Sequence, residues 1–218
     1  MSRRILALFA KAPVPGQVKT RLAPELTLEQ AAALYGAMLL DILDQHAAER
    51  DCERALWFSP ADAQAWFERF APSGWRLLPQ RGPDLAARMA ELFRRHAAEG
   101  FDRIVLRGSD SPTLPLARVD EAFAALEHAD VAICPDRDGG YNLIGLRGPC
   151  DGLFALELSH ASVLAQTLSR ARALGLRTEL LPAHHDVDTF ADLVRLLPEL
   201  DPRLTPRTLQ LAGELVRR

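Results

Sequence analysis

Short, apolar, β-rich runs alternate along this chain with longer stretches whose apolar residues recur at helical spacing. Ile5–Phe9 is a continuous apolar run, the pattern of a strand covered on both faces. Thr27 can cap a helix, with Glu29 and Gln30 in its first turn and Leu34, Met38 and Ile42 along one face. Ala55–Phe58 and Trp75–Leu78 read as strands, separated by a helix over Asp62–Phe70. Leu85, Met89, Leu92, Phe93 and His96 mark one face of a helix ending near Gly100. Arg103–Leu106 and Val131–Cys134 are further strands, with a helix to about Leu126 between them, and Tyr141–Leu146 is another short strand. A helix from about Ala161 to Leu174 leads to a strand at Thr178–Leu181, a helix through Leu197, and a last helix from about Pro206. Strand, loop and helix in repetition mean βαβ units and a mainly parallel sheet. In such sheets ligands gather at the carboxyl ends of the strands, so the polar loops after each strand carry the functional reading.

Residues 1–218 read as one domain, since no linker or internal repeat divides them. With 26 Lys+Arg against 29 Asp+Glu the net charge is −3, which argues against a nucleic-acid partner. No apolar run approaches the roughly 20 residues that cross a bilayer, and Ile5–Ala10 is too short for a secretory core segment. Three scattered cysteines without a C-x-x-C pair disfavour a disulfide scaffold or thiolate zinc site and fit a cytoplasmic protein. Oligomeric state is left open.

Four loops carry chemistry. Lys11–Arg21, straight after the first strand, joins three cations to two prolines and one glycine, a stiff turn suited to a polyanion. Gly16 lets backbone approach phosphate oxygens, Lys19 supplies a point charge and Arg21 a bidentate fork. It lacks the G-x-x-x-x-G-K-[ST] of a Walker A loop. Asp110, in Gly108-Ser-Asp-Ser-Pro-Thr113, stands where a carboxylate can hold phosphate-bound Mg²⁺, or merely cap the next helix; Asp110 at the centre excludes a G-x-S-x-G hydrolase. In Asp136–Asn142, Gly139 and Gly140 permit close approach, and Asp138, Tyr141 and Asn142 can bond a sugar or acceptor; an ordinary tight turn is the competing reading. Asp186 and Asp188 alternate in His184–Thr189, so both point one way, a geometry for a divalent ion, while one of them could serve the helix starting near Thr189. The adjacent histidines are expected to point apart and to make no zinc site. A fifth stretch, Gln80–Met89, offers Gln80 or Gly82 to a base and Arg81 or Arg88 to phosphate; Asp84 adjoins the nucleotide or caps the helix. A haloacid-dehalogenase-type nucleophile loop is excluded because D-x-D-T comes too near the end of the chain.

Taken in order, Phe9–Leu22, Gln80–Met89, Gly108–Leu114, Asp138–Leu146 and Asp186–Thr189 resemble the glycosyltransferase-A-like superfamily of nucleotide-diphospho-sugar transferases and nucleotidyltransferases. More narrowly, they resemble the branch of radical-SAM/selenodomain-associated transferases, with 2-phospho-lactate and molybdenum cofactor guanylyltransferases among its relatives. The resemblance implies a three-layer α/β/α sandwich with a mainly parallel, mixed sheet and a nucleotide over the first loop. It implies that Lys19 and Arg21 grip phosphates and that Asp110, with Asp188 and Asp186, holds Mg²⁺ or Mn²⁺. It also implies that Asp138 to Asn142 face the acceptor or sugar. Two features depart from the pattern: Ala10-Lys-Ala-Pro13 replaces a glycine-rich opening, and Asp110 lies in G-S-D-S-P rather than D-x-D. The expected function is a metal-dependent transferase using a nucleoside triphosphate or nucleotide-sugar and a small-molecule acceptor, with Asp138 the best general base. A non-catalytic nucleotide-binding domain and a metal-dependent phosphatase are the rival readings.

Overall fold

The computed structural model describes residues 3–47, 51–155 and 163–217. It contains β1 (Arg4–Lys11), α1 (Leu28–Gln45), β2 (Glu53–Ser59), α2 (Gln64–Phe70), β3 (Arg76–Pro79) and α3 (Leu85–Ala98). Then follow β4 (Arg103–Arg107), α4 (Ala117–Ala125), β5 (Val131–Pro135), β6 (Tyr141–Leu146), α5 (Val163–Ala173), β7 (Thr178–Leu180), α6 (Phe190–Leu196) and α7 (Pro206–Val216). The expected start of α5 at Ala161 lies outside the described residues. Asp62 falls in a 3-10 turn, Ala61–Ala63, that precedes α2.

The strand order is β3-β2-β1-β4-β6-β5-β7. All pairings are parallel except those of β6, which runs antiparallel between β4 and β5. The sheet is therefore mixed and covered on both sides. Leu6, Leu8 and Ala10 of β1 pack towards α1, α2 and α4, whereas Ile5 and Ala7 pack towards α3 and α5. That explains the unbroken apolar run of β1: no strand face there meets water. A third cluster joins the far side of α1 to α6 and α7 through Leu34, Met38, Leu193 and Ala212.

Local chemistry fixes the elements. Thr27 and Gln30 close a reciprocal capping box on α1, as the sequence indicates. Fully buried Asp41 of α1 accepts bonds from the Thr208 backbone N–H (2.8 Å) and hydroxyl (2.7 Å), and from Arg207 Nη1 (3.1 Å). A side chain of one helix thus caps the start of another. Asp41→Ala removes the cap and orphans the buried Thr208 hydroxyl. We expect a loss of about 2–3 kcal/mol by urea denaturation; a loss below about 1 kcal/mol would contradict this role for Asp41.

The order of strands positions the site. From β1 the chain winds outward through β2 and β3, then returns to place β4 on the other side of β1. The crevice beyond the carboxyl ends of β1 and β4 is the switch point of the sheet. Because β6 runs the other way, its first residues reach the same edge.

Candidate active site

A cavity of about 550 Å³ opens at this switch point. Among its lining residues are Lys11, Lys19 and Arg21 after β1, Gln80 after β3, Asp110 after β4, Tyr141 and Asn142 at the start of β6, and Asp186 and Asp188. The volume matches a small-molecule site.

The loop after β1 is held by its apolar residues. Val18 and Leu22 are buried, and Leu22 joins the cluster of α1, α6 and α7. Lys19 adopts a left-handed conformation (φ 48°, ψ 36°), the one positive-φ residue other than glycine among those described. Such a backbone is uncommon for lysine and marks a constrained position. It opens the 3-10 turn Thr20–Leu22 and sends the ammonium inward, leaving its side chain 4% exposed. There Nζ contacts Asp110 Oδ1 and lies 3.1 Å from Asp188 Oδ1, while Arg21 Nη1 lies 3.1 Å from Asp188 Oδ2. Burial opposes the lysine's charge, but Asp110 and Asp188 prevail and hold its pKa above the ordinary value.

Asp186 and Asp188 flank fully buried Val187, so both face the cavity, as their alternation suggests. Their partners differ. Asp186 accepts from the Ser111 hydroxyl and from Asn142 Nδ2 at 2.7 Å, and burial, reinforced by the charge of Asp110, pushes its pKa to about 6. Asp110, Asp186 and Asp188 therefore do not gather as the expected trio. No group of three His, Cys, Asp or Glu side chains suited to a metal occurs among the described residues. The carboxylates that converge on one point are Asp110 and Asp188. Two hard oxygen donors could hold a divalent ion such as Mg²⁺ or Mn²⁺ if further oxygen ligands complete its shell.

The Asp186 shift has a consequence for stability. An unfolded aspartate loses its proton near pH 4, whereas folded Asp186 keeps it until about pH 6. Its contribution is full below about pH 4 and is lost as pH rises to about 6, because the folded state then binds more protons. Asp186→Asn should flatten this fall in urea denaturation measured in EDTA; an unchanged pH profile would contradict the shift.

Several expected site residues lie elsewhere. Gly16 (φ 78°) is an exposed turn residue and does not line the cavity. Asp84 caps α3 by accepting from the Ala87 N–H at 2.8 Å. Gly82 (φ 137°) is conformational, since a Cβ there would stand 2.9 Å from the Arg88 backbone nitrogen. Gly139 and Gly140 make the β5–β6 turn, with Gly139 at φ 89° and the Asp136 N–H bonding the Gly140 carbonyl at 3.0 Å. Asp138 is exposed and lines a separate pocket of about 80 Å³, because a register shift between Cys134 and Pro135 redirects the strand end. It does not meet Lys19, Arg21 or Asp110. Capping is not the job of Asp110 either: α4 begins only at Ala117. The rings of His184 and His185 stack at 4.6 Å rather than pointing apart, since strand alternation does not hold in that loop. Leu85, expected on the buried face of α3, is 47% exposed and lines the cavity beside Met89.

Sequence reasoning missed the supports of the site. The Tyr35 hydroxyl accepts from the Lys11 N–H at 2.9 Å and meets Ser109 Oγ at 2.8 Å, tying the loop after β1 to that after β4. Arg107, 1% exposed, bonds the Ser111 carbonyl at 2.9 Å and His46 Nε2 at 2.6 Å. Burial, helped by Arg107, pushes the His46 imidazole down to about 3, so it is neutral and accepts. The one available signal was a charge ending an apolar strand, at Arg107; Tyr35 reads as ordinary core.

The family model "Uncharacterized protein conserved in bacteria (DUF2064)" matches residues 42–157. The chain is 30% identical over 183 residues to 2-phospho-L-lactate guanylyltransferase of Methanothermobacter thermautotrophicus, spanning 82% of this chain and 78% of that protein. It is 33% identical over 190 residues to 3-phospho-D-glycerate guanylyltransferase of Phenylobacterium zucineum, spanning 82% and 83%. A crystal structure from Desulfovibrio desulfuricans G20, described as a candidate nucleotide-diphospho-sugar transferase, superposes with a TM-score of 0.91 at 34% identity. It covers 100% of this chain and 98% of that one.

Proposed function

The chain belongs to the DUF2064 family and is a transferase related to guanylyltransferases, and from that premise we propose that it transfers a guanylyl group from GTP to a small phosphorylated acid. The observation that carries this reading is the pairing of Lys19 and Arg21 with Asp110 and Asp188 across one cavity. It sets phosphate-binding cations against carboxylates able to hold a cation.

In this reading an acceptor phosphate oxygen attacks the α-phosphorus of GTP, a new P–O bond forms, and the bond to the β-phosphate breaks to release pyrophosphate. Lys19 and Arg21 orient the triphosphate and hold the negative charge that grows on the departing pyrophosphate. Asp110 and Asp188 would hold Mg²⁺ or Mn²⁺, which when bound would neutralise phosphate charge. Leu85 and Met89, with Arg88 and Gln80, line the cavity and offer a wall against which the base would lie. Gln80 Nε2 donates to the carbonyls of Trp57 (2.8 Å) and Ala10 (3.2 Å), and Oε1 accepts from Arg88 Nη1 at 3.5 Å, which fixes the orientation of the amide. Asn142 and Ser111 steady Asp186. Tyr141 also lines the cavity and offers a wall at which the acceptor would dock.

The test is pyrophosphate release from GTP, ATP, CTP and UTP with Mg²⁺, offered 2-phospho-L-lactate and 3-phospho-D-glycerate. Pyrophosphate from GTP that depends on one acceptor is the expected result. Release of a nucleoside diphosphate from a nucleotide-sugar instead would replace nucleotidyl by glycosyl transfer, and no turnover of any nucleotide would overturn the proposal.

A further inference from the structure

Lys19 occupies an unusual place for a phosphate-binding lysine. Its ammonium does not project into open cavity but is buried between Asp110 Oδ1 and Asp188 Oδ1, with Arg21 on the other oxygen of Asp188. The two carboxylates converge on one positively charged nitrogen, so the point they share is a cation site already taken by a side chain. We propose that Lys19 and a divalent cation are alternative occupants of the Asp110–Asp188 pair, and that the polyanion which draws Lys19 away creates the metal site.

This inference rests on the reading that the cavity takes a triphosphate with a divalent cation. Consider each ligand alone. A divalent cation must displace Lys19 and leave a buried ammonium without a partner; a triphosphate must draw Lys19 and Arg21 off and leave two carboxylates facing each other. The penalty is largest for the ammonium, 4% exposed, whose charge is left uncompensated, and smaller for the carboxylates, which at 41% and 37% exposed keep part of their solvation. When both ligands bind, every group is paired again: ammonium and guanidinium with phosphates, carboxylates with the metal. Metal and nucleotide are thereby coupled through the protein, in addition to their own affinity in solution, and the coupling is reciprocal. The backbone supports such an exchange. Lys19 is itself left-handed, and Val18 and Leu22 on either side of it are anchored in the core, so only its side chain need move. Asp186 stays out of the exchange, since Ser111 and Asn142 hold it.

The test uses Mn²⁺ alone, counted by the electron paramagnetic resonance of the free ion, with no nucleotide present. Lys19→Met and Lys19→Gln should each bind one Mn²⁺ at least about tenfold more tightly than the unsubstituted protein, a typical size for such coupling. Lys11→Met removes the same charge from the same cavity without touching the carboxylate pair. It should leave Mn²⁺ affinity within about threefold, a shift under 1 kcal/mol. Unchanged affinity in folded Lys19 variants, or an equal gain in Lys11→Met, would overturn the proposal. In the opposite arm, the double variant Asp110→Asn/Asp188→Asn in EDTA should bind GTP more tightly than the parent, because Lys19 is released; equal or weaker binding also counts against it. If both binding gains stand but no nucleotide is turned over, the nucleotidyl reading fails and the lysine exchange survives. If GTP is turned over but the Lys19 variants gain no Mn²⁺ affinity, the lysine exchange fails and the nucleotidyl reading survives.

Discussion

Lys19→Ala is expected to lower kcat/KM for pyrophosphate release by about three orders of magnitude, the upper range for removing one preorganised electrostatic group. The size follows from burial. An ammonium that is 4% exposed works in a poorly screened setting, where a charge aimed at phosphate is worth far more than on the surface. Arg21 cannot replace it, because its side chain is 65% exposed and its guanidinium bonds the outer oxygen of Asp188. The effect should appear mainly in kcat if Lys19 holds charge on the departing pyrophosphate, and mainly in KM if it serves only to bind GTP. A loss under about tenfold, with circular dichroism showing a folded protein, would remove Lys19 from the centre of the site.

Asp110→Asn carries the second large effect. The amide keeps the shape of the side chain but loses the charge that faces Lys19, so the rate should fall by about two to three orders of magnitude. The response to Mg²⁺ concentration should flatten as well. Asp138→Asn is the matched comparison. That side chain lies in the smaller neighbouring pocket, and its loss should change the rate by about twofold at most, as for an ordinary surface substitution. A collapse of activity in Asp138→Asn with a mild effect in Asp110→Asn would reverse the assignment of the two aspartates.

Those two aspartates also show how far the sequence is legible. Asp110, Asp186 and Asp188 follow from a local rule, a carboxylate placed just beyond a strand or in an extended stretch, and all three line the cavity. Asp138 satisfies the same composition cue, but a register shift at Pro135 and the left-handed Gly139 turn it aside. Such redirection depends on pairing with β6 and has no counterpart in residue type. Partner choice was hidden likewise: nothing in the sequence distinguishes Asp188, held by two cations, from Asp186, held by a hydroxyl and an amide. The α/β class, the element positions and the loops were readable because periodicity and capping are local, as at Thr27 and Gln30. The antiparallel insertion of β6 and the clamps at Tyr35 and Arg107 were not, since each is made by contacts between distant segments.

The direction of β6 has an engineering consequence. Every other connection at this edge of the sheet leads into a crossover with a helix to repack, whereas β5 and β6 are joined by the short turn Asp136–Gly140 alone. A change of length there costs little entropy and resets two tertiary bonds, from the Leu164 N–H of α5 to the Gly139 carbonyl and from the Arg137 N–H to the His184 carbonyl. Tyr141 and Asn142 stand immediately behind that turn and face the cavity. The hairpin is thus an adjustable wall on a fixed frame, and a library confined to residues 136–142 is the economical route to a new acceptor preference.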